Sequence, residues 1–366
     1  MKKTHCFHIF LPRKQGSFLS QCDDLLLQFE NLMKEDAGTL KRLLQARFYL
    51  SDASNQKAAL DSHRLFELLN QSGVASMVEQ PPLHPGVKIA LLLWLLPEPA
   101  ESREVLAQPE GQSVKIEAEG LTYLVQSVRP TAASGEDASA HLQMKQAFRA
   151  AIDTLEASGM NLRDHCHRTW IYVRDVDRNY AGVVTARNEV FAQQGLTPAT
   201  HFIASTGIGG ATENSGTLVA ADFFSVKGLK REQVKYMHAL DFLNPTHEYG
   251  VAFERGTCLE LPSGSLFLVS GTASIDKVGQ CVHRGDVVTQ TGRLFLNIEK
   301  LLDSTGATLK DVKYLIVYLR DVADYPQVQQ YLRLRFPGLP FLVTEARVCR
   351  PEWLIEVECM AFRAHD

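Results

Sequence analysis

No C-x-x-C pair occurs in the 366 residues, and the seven cysteines (Cys6, Cys22, Cys166, Cys258, Cys281, Cys349, Cys359) are scattered. Their odd number and irregular spacing exclude a disulfide frame and a zinc ribbon; they read as reduced thiols. Long hydrophobic runs are also missing. The most apolar stretch, Ala90 to Leu96, stops at Pro97 and is far too short to span a bilayer. Positive charge is not in surplus either: 38 Lys and Arg face 42 Asp and Glu, a net charge of −4. A nucleic-acid backbone is therefore not the expected partner. Met1 to His8 lacks the apolar core and cleavage site of a secretory leader. The expectation is a soluble, cytoplasmic protein without nucleic-acid or membrane partners. The glycines of Thr206–Gly210 lack the Lys-Ser/Thr ending of a phosphate loop. They read as a flexible loop, a candidate lid over a neighbouring site. His165-Cys166-His167 supplies two alternate strand ligands at most, so no metal site is expected. Arg168, beside it, reads as part of a solvated strand start.

What is present is a duplication. Hydrophobic residues make up 45% of a chain long enough for two domains. Phe148, Ile152 and Leu155 stand at helical spacing, and Leu294, Ile298 and Leu301 repeat them 146 positions later. Each helix is followed by a glycine, Gly159 or Gly306, suited to a left-handed C-terminal residue. The β-rich segments 169–176 and 315–322 keep the same offset for Tyr172 and Tyr318, Arg174 and Arg320, Asp175 and Asp321. Further strands are expected at 114–116, 121–126, 218–226, 256–261, 266–270 and 354–362. The order ββ-α-β-α-β-β gives an α+β fold of two tandem modules, mixed sheets each covered by two helices. The expected division is an N-terminal extension over 1–80 with two or three amphipathic helices, a first module over 81–240 and a second over 241–366. The second copy carries the charge. Glu356 and Glu358 share one face of the last strand, whereas the first copy has Ala220 opposite Glu356 and Gly207 roughly opposite Arg347.

The second copy resembles the RidA/YjgF family, which has a chorismate-mutase-like fold, over about 110 residues. The resemblance rests on Leu268–Gly271, Gly285–Thr291, Asn297-Ile298, Gly306–Val312, Val317–Val322 and Ile355–Cys359. It implies trimers with ligand sites at subunit clefts, enamine and imine hydrolysis in small members, and an arginine before the last strand that grips a carboxylate. Arg347 matches that arginine. The tandem arrangement is similar to the chorismatases over about residues 85–362. Its marks are Arg168–Tyr172, Tyr180, Arg187, Thr206–Gly209, Tyr249-Gly250, Phe253–Arg255, Ser270–Ser274 and Cys349–Glu356. Val183-Val184 replaces the family's usual Phe-Asn, and the segment from Tyr249 to Arg255 is shorter than usual. This resemblance implies cleavage of the enolpyruvyl ether of chorismate, giving pyruvate and a hydroxybenzoate or a dihydroxycyclohexadiene carboxylate. No metal or organic cofactor is implied. The oligomer expected is a homotrimer or a monomer.

Chorismate is a dianion, so its pocket needs two fixed cations, and arginine pairs with carboxylates through a planar fork. Arg347, Arg187 and Arg255 are the expected clamps, with Tyr180 and Tyr249 as hydroxyl partners. The resemblance adds Thr272 and Ala273 to the binding set. An enol ether is cleaved by protonating its methylene carbon, and a desolvated carboxylic acid is a suitable donor. Glu356 is the expected donor; Glu358 is expected to be a structural hydrogen-bond acceptor. Cys349 has two readings, an inert small residue or, by the resemblance, a determinant of 3-hydroxybenzoate formation. Rival expectations are an enamine/imine deaminase and a non-catalytic ligand-binding member of the fold.

Overall fold

A computed structural model describes residues 4–108, 110–130 and 139–365. Three sheets follow one another along the chain. The first unit comprises β1 (Cys6–Phe10), α1 (Phe18–Glu35), α2 (Thr39–Arg42), β2 (Leu43–Leu50), α3 (Ala53–Asp61), α4 (Arg64–Ser72), β3 (Val74–Glu79) and β4 (Ile89–Leu95). The second comprises β5 (Ser102–Gln108), β6 (Gly111–Ala118), β7 (Leu121–Val128), α5 (Ala140–Ala157), α6 (Leu162–His165), β8 (Cys166–Val173), α7 (Val176–Gln193), β9 (Ala204–Gly209) and β10 (Val219–Lys227). The third comprises β11 (Val234–Tyr236), β12 (Gly256–Leu261), β13 (Gly264–Ala273), α8 (Val287–Asp303), β14 (Val312–Leu319), α9 (Tyr325–Arg335), β15 (Phe341–Glu345) and β16 (Ile355–Ala364). The α+β class and the tandem modules are as expected.

The N-terminal region differs from the expected extension. Its sheet runs β1-β4-β2-β3, and the other two contain β7-β10-β8-β9 and β13-β16-β14-β15. In all three the second pair in each listing is built alike: β2 with β3, β8 with β9 and β14 with β15 are parallel. The strand between them and the first is antiparallel to both neighbours. Residues 4–95 are thus a third copy of the module, without the two leading strands. The boundary expected at 80 separates β4 from its sheet, and the one at 240 leaves β11 on the wrong side. The sequence hid this copy because it lacks the motif that the other two repeat 146 positions apart.

Local chemistry explains the elements. Ser139 caps α5 by accepting from Leu142 N–H, and Asp286 caps α8 by accepting from Val288 and Thr289 N–H. Phe148, Ile152 and Leu155, and equally Leu294, Ile298 and Leu301, are buried against their sheets. Gly159 (φ +67°) and Gly306 (φ +77°) take the left-handed conformation anticipated for them.

The three sheets turn their opposite faces toward one another. Isolated backbone bridges tie them in pairs: Glu79–Ala211, Pro82–Thr344, and both Ile208–Val348 and Ala204–Glu254. Register aligns the inner faces. Tyr49, Tyr172 and Tyr318 pair with Ala90, Ala220 and Glu356; one step along, Arg47, Trp170 and Ile316 pair with Leu92, Asp222 and Glu358. Glu358 accepts from Arg168 Nη2 at 2.8 Å and Trp170 Nε1 at 2.9 Å. Arg47 donates to Asp222 at 3.2 Å, and Arg129 reaches the other Asp222 oxygen at 2.9 Å. Arg168 is therefore fully buried, correcting the solvated strand start, because β8 is an interior strand. Glu358 is the structural acceptor expected. Arg168→Met leaves the Glu358 charge underpaired in the interior, which costs about 3–5 kcal/mol. Urea unfolding should show that loss; unchanged stability would contradict the pairing.

Candidate active site

A cavity of about 410 Å³ lies where the second module meets the third. The α7 helix presents Tyr180, Val184 and Arg187 to it, residues spaced by four and three and so on one helical face. Ser205 and Gly207 of β9 complete the second module's wall. The third module supplies Tyr249, Val251, Phe253 and Arg255 from the segment before β12, Gly271 and Ala273 from β13, and Cys349, Arg350, Trp353 and Glu356.

Charge distribution sets the character of the cavity. Arg187 is 1% exposed, and its Nε and Nη2 have no hydrogen-bond partner among the described residues. Arg255 is also buried; it donates to the Asn244 carbonyl at 3.1 Å and lies 5.5 Å from the Tyr249 ring. Burial depresses the Arg255 guanidinium below its ordinary value. Neither arginine has a carboxylate within ion-pair distance among the described residues. Arg350 is a third cation, its guanidinium 4.9 Å from the Tyr249 ring centre and 4.6 Å from that of Trp353. It was missed by sequence reasoning, although Cys349-Arg350-Pro351-Glu352-Trp353 carries the aromatic partner three residues on.

Glu356 is the lone acid of the cavity. Burial, then the nearby Glu358 charge, pushes its carboxyl up to about 8, against the pull of Arg168 and Arg255. Its side chain rests on Gly271, where any β-carbon would overlap the carboxyl. Cys349 adjoins Tyr180, and burial first, then Glu356, pushes its thiol up to about 12. The thiol is therefore protonated at neutral pH and is no thiolate nucleophile. Burial also raises the Tyr180 and Tyr249 phenols.

Seven expected site residues thus meet in one cavity: Glu356, Cys349, Arg187, Arg255, Tyr180, Tyr249 and Ala273. Two do not. Thr272 is buried with its hydroxyl donating to the Ser270 carbonyl at 2.9 Å. Arg347 has a side chain 65% exposed and pairs with Asp177 at 2.8 Å, outside the cavity. The reason is backbone geometry: β15 ends at Glu345, so Arg347 and Cys349 are not alternate residues of one pleat. Register also corrects the counterpart of Arg347. Tyr172 pairs with Ile208 and Tyr318 with Thr344, which places Ala211, not Gly207, opposite Arg347. Ala220 is confirmed opposite Glu356 by their pairing with Tyr172 and Tyr318.

The modules also meet at other clefts. One, between the first and second, is lined by Ser76, Ser127, Arg129 and Thr217; another, between third and first, by His84, Tyr325 and Val343. In the former, Arg129 is already paired with Asp222. Among the described residues, the cleft that holds Glu356 joins two buried arginines without carboxylate partners, Arg187 and Arg255, to a buried acid. Among the described residues, no group of three His, Cys, Asp or Glu is placed to hold a metal ion. No described helix is long and apolar enough to cross a membrane.

The Endoribonuclease L-PSP family model matches residues 255–363. The 3-aminoacrylate deaminase RutC of Acinetobacter baylyi is 34% identical over 103 residues, 26% of this chain and 79% of that protein. The chain belongs to the RutC, or RidA/YjgF, family. A RutC family protein of Pyrococcus abyssi is 30% identical over 102 residues, 27% of this chain and 80% of its own. Across the whole length the fold is similar to that of a solved chorismatase. A chorismatase crystal structure superposes with a TM-score of 0.71, covering 98% of both chains at 19% identity. Arg347, the arginine expected to grip a carboxylate, faces solvent, and the arginines of the cavity are Arg187, Arg255 and Arg350.

Proposed function

We propose that the chain cleaves chorismate to pyruvate and a hydroxybenzoate, 3-hydroxybenzoate favoured, without metal or organic cofactor. The observation that carries this reading is the pair of buried arginines, Arg187 and Arg255, that lack carboxylate partners beside an acid protonated at neutral pH. Burying a cation without a counter-charge is costly, so a cavity built this way fits an anionic ligand. Two such cations suit two carboxylates. Tyr180 and Tyr249 offer hydroxyls to the same ligand, and Val184, Ala273 and Trp353 offer it an apolar wall.

Glu356 then gives its proton to the terminal enol carbon, making a methyl group and leaving an oxocarbenium ion next to the new carboxylate. Capture by water yields a hemiketal that collapses to pyruvate and the ring alcohol, consuming one water. Capture by the neighbouring ring hydroxyl instead moves the three-carbon unit, and elimination to the aromatic acid releases pyruvate with no net water. Cys349, protonated and next to Tyr180, sits where it can steer that second route. Cys349→Ala should change the ratio of aromatic to dihydroxy product more than the overall rate, read by chromatography of the products. An unchanged ratio makes the thiol structural.

The acid sets a pH limit. The donor form of Glu356 dominates below about pH 8, so kcat should fall about tenfold per unit above that value. A rate that stays flat through pH 9.5 removes Glu356 from the role. The primary test is purified protein with chorismate, following pyruvate and aromatic products. Intact chorismate with no pyruvate above background overturns the proposal. Deamination of an enamine by Arg347→Ala and wild type alike would place the activity in this cavity but change its substrate class.

A further inference from the structure

Thr206–Gly210, the glycine-rich motif, forms no loop over the cavity. Ala204 to Gly209 are strand β9, which corrects the expected lid. Gly207 and Gly209 share one face of that strand. A β-carbon on Gly207 would lie 3.0 Å from the Tyr180 ring, and one on Gly209 would lie 2.9 Å from both Arg347 N and Arg347 O. The two glycines thus let a ring from α7 and a backbone segment of the third module settle against β9. Gly209 N–H donates to the Arg347 carbonyl at 2.9 Å, and Ile208 bridges to Val348. The next residue is Cys349, whose thiol and the Tyr180 hydroxyl are hydrogen-bond partners.

An ion network holds the same segment. Arg320 Nη1 donates to the Val348 carbonyl at 2.8 Å, and Arg320 Nη2 lies 2.8 Å from both carboxylate oxygens of Asp177. Asp177 belongs to the first turn of α7, three residues before Tyr180 and on the same helical face. Arg347 also reaches Asp177, but its side chain is largely exposed, and pairs of that kind contribute little. The Arg320 side chain is only 17% exposed and is the stronger partner. The duplication supplies a comparison. Arg174 is the second module's counterpart of Arg320, and register makes Thr212 the counterpart of Val348. Arg174 donates to the Thr212 carbonyl at 2.6 Å, so the arginine–carbonyl bond is common to both modules. Arg174 bonds backbone carbonyls alone, with no carboxylate within ion-pair distance among the described residues. Asp177 is therefore the addition, and it joins the third module's backbone to the helix that carries Tyr180 and Arg187.

We propose that Asp177 is a positioning residue: through Arg320 and the Val348 carbonyl it holds Cys349 against Tyr180 across the module boundary. Asp177 does not line the cavity and acts on it only through that tether. Its effect on products rests on the chorismate reading; its hold on the thiol does not.

The test reads Cys349 itself, in the full chain. A thiol kept protonated should react slowly with iodoacetamide, followed by mass spectrometry of the Cys349 peptide. Asp177→Asn keeps the side-chain shape but loses the charge, and should speed that labelling at least about tenfold as the segment opens locally. Cys258 and Cys359, buried in β12 and β16, should label as in the wild type. Asp177→Glu keeps the charge and should restore most of the protection. With chorismate, Asp177→Asn should shift the ratio of aromatic to dihydroxy product in the direction of Cys349→Ala, with KM little changed. Combined with Cys349→Ala it should shift the ratio no further. Unchanged Cys349 labelling in Asp177→Asn overturns the proposal whatever the substrate. So does faster labelling of all three cysteines with a lower melting point, which marks a merely structural pair. A ratio that Cys349→Ala shifts and Asp177→Asn does not overturns it too. Faster labelling of Cys349 alone, with no chorismate turnover by the wild type, supports the tether and removes only the chorismate reading.

Discussion

Glu356→Gln should lower kcat for pyruvate release by at least about 100-fold, the scale of a lost general acid. Glutamine keeps the shape and the hydrogen-bonding reach of the protonated acid, yet it has no proton to give. The folded protein should tolerate it well, because Glu356 is already neutral near pH 7. Stability gives a second readout. The Glu356 carboxyl holds its proton up to about 8 in the folded state and only to about 4.3 when unfolded. Between those values the folded state binds the extra proton, so its contribution is fully present below the lower value and is lost as pH rises toward the upper. The Gln variant should lack this decline and exceed the wild type in stability at pH 9. Urea midpoints at pH 5, 7 and 9 read it. Near-wild-type turnover would remove the acid role, and a wild-type pH slope in the variant would remove the elevated carboxyl.

The second large effect separates function from stability. Arg187→Met should reduce kcat/KM for chorismate by a factor of about 30 to several thousand. That is the roughly 2–5 kcal/mol that follows truncation of one partner in a buried charge pair. The same variant should melt higher than the wild type by a few degrees in the absence of ligand, since methionine relieves a buried cation with two unsatisfied donors. A structural arginine would behave in the opposite way, losing stability with little change in kcat/KM. Steady-state kinetics and a thermal melt on one preparation distinguish the two.

Much of this was legible in the sequence, for identifiable reasons. The α+β class followed from helical periodicity in Phe148–Leu155 and Leu294–Leu301, and from the matched strands ending at Arg174 and Arg320. Glu356 was legible because strand alternation puts it on the face opposite Ile355 and Val357. Three features were not. The first module lacks the repeated motif, and Gln45 and Arg47 interrupt its continuous buried strand β2. Arg347 looked like the clamp because its position matches, but the chain leaves the strand at Glu345 and turns the side chain toward Asp177. Arg168 looked solvated because its partner, Glu358, comes from 190 residues away; no local pattern announces such a pair. In each case the missing information was tertiary.

The asymmetry among the three clefts is what ties fold to chemistry. All modules share the strand order, and Ala90, Ala220 and Glu356 stand at one register position. In the proposed reaction, a methyl in two of them and an acid in the third confine proton transfer to the cleft that also holds Arg187 and Arg255. The central claim is thus that Glu356, a solvent-exchangeable acid, protonates the enol carbon. The most direct measurement is the reaction in D₂O, with pyruvate reduced to lactate as it forms so that its methyl group cannot exchange. Mass spectrometry should find one deuterium in each lactate methyl group. Lactate with an unlabelled methyl would contradict the account.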